Sequence, residues 1–336
     1  ESKTIAEICV DNLVDSDTTT LAHKFENFRS LESIDFRGWN TSNVESLESC
    51  FSKCMALTRL DLTRWNTSKV KNMGCCFYDC ENLKSLDLSR WNTSKVEDMG
   101  GCFSGCTELR DLDLSNWNTS NVIYLRDCFS NCKSLCNLRL ARWDISKVET
   151  LYRCFYGCTS LESIDLSGWN TSNLVVLSHC FYRCESLERL DIADWDVSNV
   201  IYLDHCFQDL IAFFDVSKWQ PISVATLVSC FEGCIIENEK SETGEAIGRA
   251  EIVDSDEYDK QIDKQIMEFK DDPQTRSHNH YLDLSEWRTP SLVDISSCFK
   301  NSVCIEMNLS NWDVSHVLDA RECFATDTLV ALDISN

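Results

Sequence analysis

Apolar residues recur along most of the chain in two periods that follow one another in a fixed order. One clear unit reads Leu57-x-x-Leu60-Asp61-Leu62-x-x-Trp65-Asn66-Thr67-Ser68-x-Val70-x-x-Met73-x-x-Cys76-Phe77-x-x-Cys80-x-x-Leu83. Its first third alternates, with Leu60 and Leu62 on one side and Arg59, Asp61 and Thr63 on the other, which predicts a half-buried strand. Its second half changes period. Val70, Met73, Cys76 or Phe77, and Cys80 return at steps of three and four residues, which predicts a short α or 3₁₀ helix with one buried face. Ser68 stands where a helix N-cap belongs, and Ser42, Ser94, Ser120, Ser146, Ser172, Ser198 and Ser315 keep the same offset from their Trp. An acid three residues later completes or approximates a capping box in Ser42…Glu45, Ser94…Glu97, Ser146…Glu149 and Ser291…Asp294.

The unit is repeated. Trp39, Trp65, Trp91, Trp117, Trp143, Trp169 and Trp195 stand 26 residues apart, followed by Trp219, Trp287 and Trp312. Eleven residues after each of these ten Trp comes a Cys-Phe pair, from Cys50-Phe51 to Cys323-Phe324. A single unit of this size cannot bury both its Leu face and its Phe face, but stacked neighbours can. Strands laid side by side at about 4.8 Å turn every apolar position into a column. The expected fold is therefore an α/β repeat solenoid with one short parallel strand and one short helix per 26-residue repeat, its Trp and Phe columns forming ladders of core aromatics.

The frame L-x-x-L-x-L-x-x-(W/N) is similar to leucine-rich repeats. L-D-L-S-x-W-N-T-S-x-V-x-x-M followed by F-x-x-C-x-x-L resembles the BspA-type leucine-rich-repeat surface proteins, over residues 31–234 and 281–336. Where bacterial members of that family usually carry Met before the Phe, this chain has Cys in all ten units. The resemblance implies a right-handed leucine-rich-repeat solenoid in a secreted or surface-anchored protein that binds host or matrix proteins. Four segments follow: an N-terminal cap region at 1–30, repeats at 31–234, an acidic insertion at 235–280, and repeats again at 281–336, the last of them incomplete. The insertion carries 13 acidic and 6 basic residues, and Tyr258, Ile262, Ile266 and Phe269 could line one face of a short helix within it. Such insertions project from a solenoid, either disordered or in contact with a partner. The chain opens at Glu1 without Met or an apolar leader and reads as processed or excerpted.

Charge narrows the partners. A net charge of −24 repels phosphate backbones and anionic membrane surfaces, so nucleic acid is not an expected partner. No stretch approaches the roughly 18 apolar residues of a membrane helix, so no membrane insertion is expected from this segment.

Twenty-one cysteines are the compositional anomaly. Ten precede Phe, seven follow four residues later (Cys54, Cys80, Cys106, Cys132, Cys158, Cys184 and Cys234), and Cys9, Cys75, Cys136 and Cys304 stand alone. The odd total leaves a thiol unpaired or a bond leaving the segment. Three arrangements fit. C-F-x-x-C places two sulfurs one turn apart, at a Cα separation of about 6 Å, so Cys50–Cys54, Cys76–Cys80, Cys102–Cys106, Cys128–Cys132, Cys154–Cys158, Cys180–Cys184 and Cys230–Cys234 are candidate disulfides if the turn is distorted. Bridges between neighbouring units are the second arrangement, and a ladder of buried thiols packed as small hydrophobes the third. Doubling of the thiols in each unit favours disulfides and with them an extracellular setting. Zinc on C-x-x-x-C from neighbouring units is a further possibility, but copies in an apolar column read as packing.

Three polar columns complete the inventory. Asp35, Asp61, Asp87, Asp113, Asp165, Asp191, Asp215, Asp283 and Asp333 share the place between the strand leucines, with Arg139 and Asn308 as exceptions. Stacked carboxylates repel unless compensated, either by nearby Ser or backbone donors or by calcium, for which Asp61, Asp87, Asp113, Asp165 and Asp191 are the candidate column. Asn40, Asn66, Asn92, Asn118, Asn170 and Asn308 each begin N-x-S and are candidate glycan acceptors, although Asn and Ser also serve turn geometry there. His179 and His205 share a column with Ser49, Gly101, Asp127, Arg153 and Glu322, whose variability marks it as solvent-facing.

No nucleophile elbow, phosphate loop or metalloprotease helix occurs, and His278-Asn279-His280 in the insertion is the single suggestive cluster. No enzyme activity and no cofactor are expected. The favoured function is a non-enzymatic extracellular leucine-rich-repeat protein for protein–protein or cell-surface adhesion, with protein or glycan ligands. The alternatives are a structural subunit assembling end to end with copies of itself into a filament or coat, and an intracellular repeat scaffold.

Overall fold

The computed structural model describes residues 7–9, 14–36, 38–140, 142–234, 281–304 and 306–335. The insertion 235–280, with its expected amphipathic face and His278-Asn279-His280, lies outside the described residues.

The chain is a parallel β-solenoid. Its strands are Glu7–Cys9 (β1), Ser33–Asp35 (β2), Arg59–Leu60 (β3), Ser85–Leu86 (β4), Asp111–Asp113 (β5), Asn137–Arg139 (β6), Arg189–Leu190 (β7), Phe213–Phe214 (β8), Tyr281–Asp283 (β9), Glu306–Asn308 (β10) and Ala331–Asp333 (β11). Pairing is parallel and in register with the repeat: Leu60 lies opposite Leu86 and Leu112 opposite Leu138. A second column of parallel bridges runs Thr20, Ser46, Asn72, Asp98, Tyr124, Thr150, Val176, Tyr202, Thr226, Asp294, Asp319. That column passes from Thr226 directly to Asp294, and Trp219 stacks on Trp287 at 6.2 Å. The turn at 281–304 therefore follows the turn ending at Cys234 as though the insertion were absent.

The strand expectation holds and the helix expectation does not: the described residues contain no helix. Backbone hydrogen bonding explains why. The N–H groups of Leu47, Ser49, Phe51 and Lys53 donate sideways to the carbonyls of Asn72, Gly74, Cys76 and Tyr78 in the next turn, at 2.6–2.8 Å. Those donors are lost to any i→i−4 ladder. The intervening Cys50, Ser52 and Cys54 donate to Leu47, Ser49 and Phe51 three residues back, so the segment is a run of tight turns. Two residues in each unit before the last adopt positive φ, such as Ser49 (50°) and Lys53 (60°), or Gly101 (62°) and Gly105 (75°), which a right-handed helix forbids. Apolar steps of three and four residues arise from this spiral as they do from a helix. Ser68 accordingly caps nothing; its N–H donates to Asn66 Oδ1 at 3.1 Å.

The interior is built from columns. Trp39 to Trp312 stack with ring centroids 5.9–6.5 Å apart. The Phe ladder beside it starts one turn before the first Trp, with Phe25 lying 5.4 Å from Phe51. Buried Thr residues tie turn to turn: Thr93 Oγ1 donates to the Asn118 carbonyl at 3.0 Å and accepts the Asn118 N–H at 2.9 Å.

Candidate functional site

Each column of polar or reactive residues read from the sequence has a definite place. Ten Cys before Phe and seven Cys four residues later form two parallel rows in the core, nearly all with no solvent exposure. The twenty cysteines from Cys50 to Cys323 carry free thiols, and the second row is hydrogen-bonded. Cys80 Sγ–H donates to the Phe51 carbonyl at 3.1 Å, Cys106 to Phe77 at 3.2 Å and Cys132 to Phe103 at 3.1 Å, each reaching back one turn. Burial pushes these thiols up, Cys54 and Cys158 to about 12. A thiol so held is a poor nucleophile and a poor metal ligand.

The carboxylate column lies exposed on the strand face. Asp61 Oδ1 accepts the Thr63 hydroxyl at 2.6 Å and the Thr63 N–H at 3.1 Å, Asp113 and Asp165 hold Ser115 and Ser167 in the same way, and Asp87 accepts the Ser89 N–H at 3.0 Å. These hydrogen bonds hold the carboxyls of Asp61, Asp87, Asp113 and Asp165 below the usual range despite their stacking. Asp191 takes Arg189 Nε at 2.7 Å, and Arg139, the exception in the column, reaches back to Asp113 at 3.3 Å. Among the described residues no three His, Cys, Asp or Glu converge as a metal site. The Asn of each N-T-S is exposed along one edge, where the side-chain oxygen of Asn40, Asn66, Asn92, Asn118 and Asn170 accepts the Ser N–H two residues on at 3.0–3.2 Å. Asn308 stands apart from them, half-buried in the carboxylate column.

The distinctive surface is elsewhere, on the flank formed by the tight-turn segments. Six of the eight tyrosines lie there: Tyr78 in an earlier turn, and Tyr124, Tyr152, Tyr156, Tyr182 and Tyr202 in four consecutive turns. Tyr156 stacks on Tyr182 at 5.0 Å, and His179 stacks on His205 at 4.5 Å with an 8° tilt. The rings of Tyr152 and Tyr182 meet His179 edge-on at 5.8 and 6.0 Å. The Arg153 guanidinium covers both Tyr152 and Tyr156, at 5.0 and 5.2 Å, and Arg183 covers Tyr182 at 5.8 Å. His205 Nδ1–H donates to Gln208 Oε1 at 2.6 Å, and Gln208 Nε2 donates to Glu232 at 3.1 Å, which fixes the outer imidazole. Tyr124 and Tyr202 stand on the bridge column alongside, 52% and 45% exposed. In the first three Trp-bearing turns the equivalents of His179 and Tyr152 are Ser49, Cys75 and Gly101, and Glu48, Gly74 and Gly100, and in the fourth they are Asp127 and Arg126. The variable column of His179 and His205 is thus where aromatic and cationic groups meet. The signal that could have found it is the succession Arg153, His179, His205 at one offset from Trp in adjacent repeats, with Tyr156 and Tyr182 at another.

Burial, then the neighbouring His205 and Arg153, lower His179 to about 4. The unfolded chain takes up this proton near pH 6.5, whereas the folded chain refuses it until about pH 4. Acid therefore stabilises the unfolded state across that window, and stability falls as pH drops through it. His179→Gln is expected to flatten the decline in denaturation midpoint between pH 6.5 and 4; an unchanged slope would assign the decline to other groups.

With the geometry in place, comparison with known proteins gives one decisive match. The family model described as "Mycoplasma protein of unknown function, DUF285" matches residues 19–138, 125–243 and 269–336. The chain belongs to that family. No curated protein matches it. Solved structures similar to this DUF285 chain include a leucine-rich repeat protein from Bacteroides ovatus, 14% identical, covering 96% of this chain and 82% of that one at a TM-score of 0.43. They also include an internalin from Listeria monocytogenes, 11% identical over 99% and 87% at 0.26. A third is the functional domain of InlJ from Listeria monocytogenes, described as including a cysteine ladder, 16% identical over 93% and 66% at 0.21. Among the described residues of the DUF285 chain, no helix is long and apolar enough to cross a membrane.

Proposed function

We propose that this DUF285 chain is a non-enzymatic, extracellular repeat protein that binds a protein partner through the Tyr–His–Arg flank of residues 123–232. The observation that carries the reading is the Tyr152–Arg153–Tyr156–His179–Tyr182 cluster, whose rings are held by mutual stacking on a backbone hydrogen-bonded to its neighbours. Tyr and Arg are the residues that most often dominate binding energy at protein interfaces, and rings fixed before contact lose little entropy on binding. The solvent-facing carboxylates, spent on their own turns, offer no comparable anchor. Buried thiols with raised pKa values resist oxidation, so a cysteine-rich core is compatible with an exposed setting.

The test is surface plasmon resonance of the purified chain against an array of extracellular protein domains, with the Tyr152→Ala/Tyr182→Ala variant alongside. At least one saturable partner is expected, with affinity reduced at least about tenfold in the variant at unchanged thermal stability. A partner bound equally well by both forms, or none bound saturably, overturns the reading. Concentration-dependent self-assembly in place of ligand binding would favour the structural-subunit alternative.

A further inference from the structure

Next to the aromatic flank, on its bridge-column side, lies a shallow groove of ≈ 400 Å³ lined by Glu149, Asn173, Val175, Asn199, Ile201 and Ser223. The repeats supply their own template for what such a groove holds. In an earlier turn Asn121 anchors its side-chain Nδ2 to the Ser94 carbonyl at 2.8 Å and receives Lys147 Nζ on its Oδ1 at 2.7 Å. Asn43 is anchored to the Ser16 carbonyl and receives Lys69 Nζ, while Glu45 beside it receives Lys71 Nζ at 2.9 Å. In each case an ammonium from the following turn sits on an amide oxygen or a carboxylate.

Asn173 and Asn199 repeat the first half of that arrangement. Their Nδ2 groups donate to the Ser146 and Ser172 carbonyls at 2.5 and 2.8 Å, so each Oδ1 is oriented as in Asn121. The second half is missing. The following turns place Asn199 and Ser223 where Lys69 and Lys147 stand earlier, and Val175 follows Glu149 where Lys71 follows Glu45. No described residue donates to either amide oxygen or pairs with the Glu149 carboxylate. The half-buried Val175 and Ile201 side chains line the same groove, an apolar track of the kind the methylenes of a lysine cover.

We propose that this groove binds lysine side chains of a protein partner, presented on an extended apolar segment. Each ammonium is received by Asn173 Oδ1, Asn199 Oδ1 or Glu149, as the chain's own lysines are received by Asn121, Asn43 and Glu45. The net charge of −24 supplies the complementary long-range attraction. The inference rests on the protein-binding reading above and names the chemistry of the partner segment seated beside the aromatic anchors.

The experiment uses the full chain and a synthetic eight-residue peptide of alternating Lys and Val, capped at both ends, with binding followed by calorimetry. A control peptide carries norleucine at every Lys. Two variants are compared: Glu149→Gln, and Asn199→Lys, which supplies in cis the side chain found at 69, 95 and 147 and therefore folds as those turns do. Saturable binding of the Lys peptide is expected, reduced at least about tenfold in each variant and lost with norleucine. Equal binding of the norleucine peptide, unchanged affinity in Asn199→Lys, or no binding of the Lys peptide overturns the proposal. If the Lys peptide fails while Tyr152→Ala/Tyr182→Ala still abolishes partner binding, the groove assignment falls and the flank reading stands.

Discussion

Trp117→Ala is expected to destabilise the fold by about 3–5 kcal/mol, the cost of deleting a fully buried large aromatic side chain. Trp117 is 2% exposed, stacks on Trp91 at 6.3 Å and on Trp143 at 6.5 Å, packs against Phe103 at 6.2 Å, and sends its Nε1–H to the Leu88 carbonyl at 3.5 Å. Truncation removes contacts to the turns on both sides at once, and in a solenoid the interface between neighbouring turns carries much of the stability. The loss should therefore be local in space but large. Urea denaturation gives its size, and hydrogen exchange should show the backbone amides of residues 91–143 losing protection first. Trp39, half-buried near the start of the column, provides the contrast, and Trp39→Ala should cost clearly less. Equal costs for the two would mean that the indole ladder is not cooperative.

Gly105→Ala is expected to cost about 1–3 kcal/mol, and Gly168→Ala essentially nothing. Gly105 has φ of +75°, where an added Cβ carries a penalty of about 1–2 kcal/mol. That Cβ would clash with Asp79 Oδ1 and lie 3.2 Å from the Asp79 Cα in the preceding turn. A carboxylate can swing aside, but the backbone is fixed by the Asp79 N–H to Ser104 carbonyl bond at 2.7 Å. Gly168 has nothing within 4 Å of its built Cβ, and Ala there should be neutral or slightly stabilising through the unfolded chain. Thermal unfolding of the two variants compares them directly. A neutral Gly105→Ala would show that the turn spiral yields more readily than its hydrogen bonding implies.

Repetition made most of the core legible without coordinates. A Trp every 26 residues, a Cys-Phe pair eleven residues on and alternating leucines place each side chain in a column, and stacking follows because no unit can bury both faces alone. The turn built on Phe25 was harder to see, because Lys24 replaces the usual Cys and no Trp precedes it. The expected helix fails for a specific reason. Val70, Met73, Cys76 and Cys80 have helical spacing, yet the decisive residues are those at positive φ between them, and that set includes Lys53, Cys75 and Arg153 as well as Gly, Asn and Asp.

The candidate site divides along the same line. Tyr152, His179 and Arg153 are visible as residues, but their meeting depends on the lateral stacking of turns. Residues 26 apart, Tyr156 with Tyr182 and His179 with His205, become ring-to-ring neighbours at 5.0 and 4.5 Å. The vacant amide oxygens of Asn173 and Asn199 show only when each is set beside the turn that follows it. What the sequence by itself determined is which residues are inside, because burial of a repeated apolar pattern depends on spacing alone. What only the tertiary structure decided is where each backbone N–H is spent, whether within its own turn or on the next. That choice turned an expected helix into a spiral of turns, and so set which polar side chains face one another across neighbouring repeats.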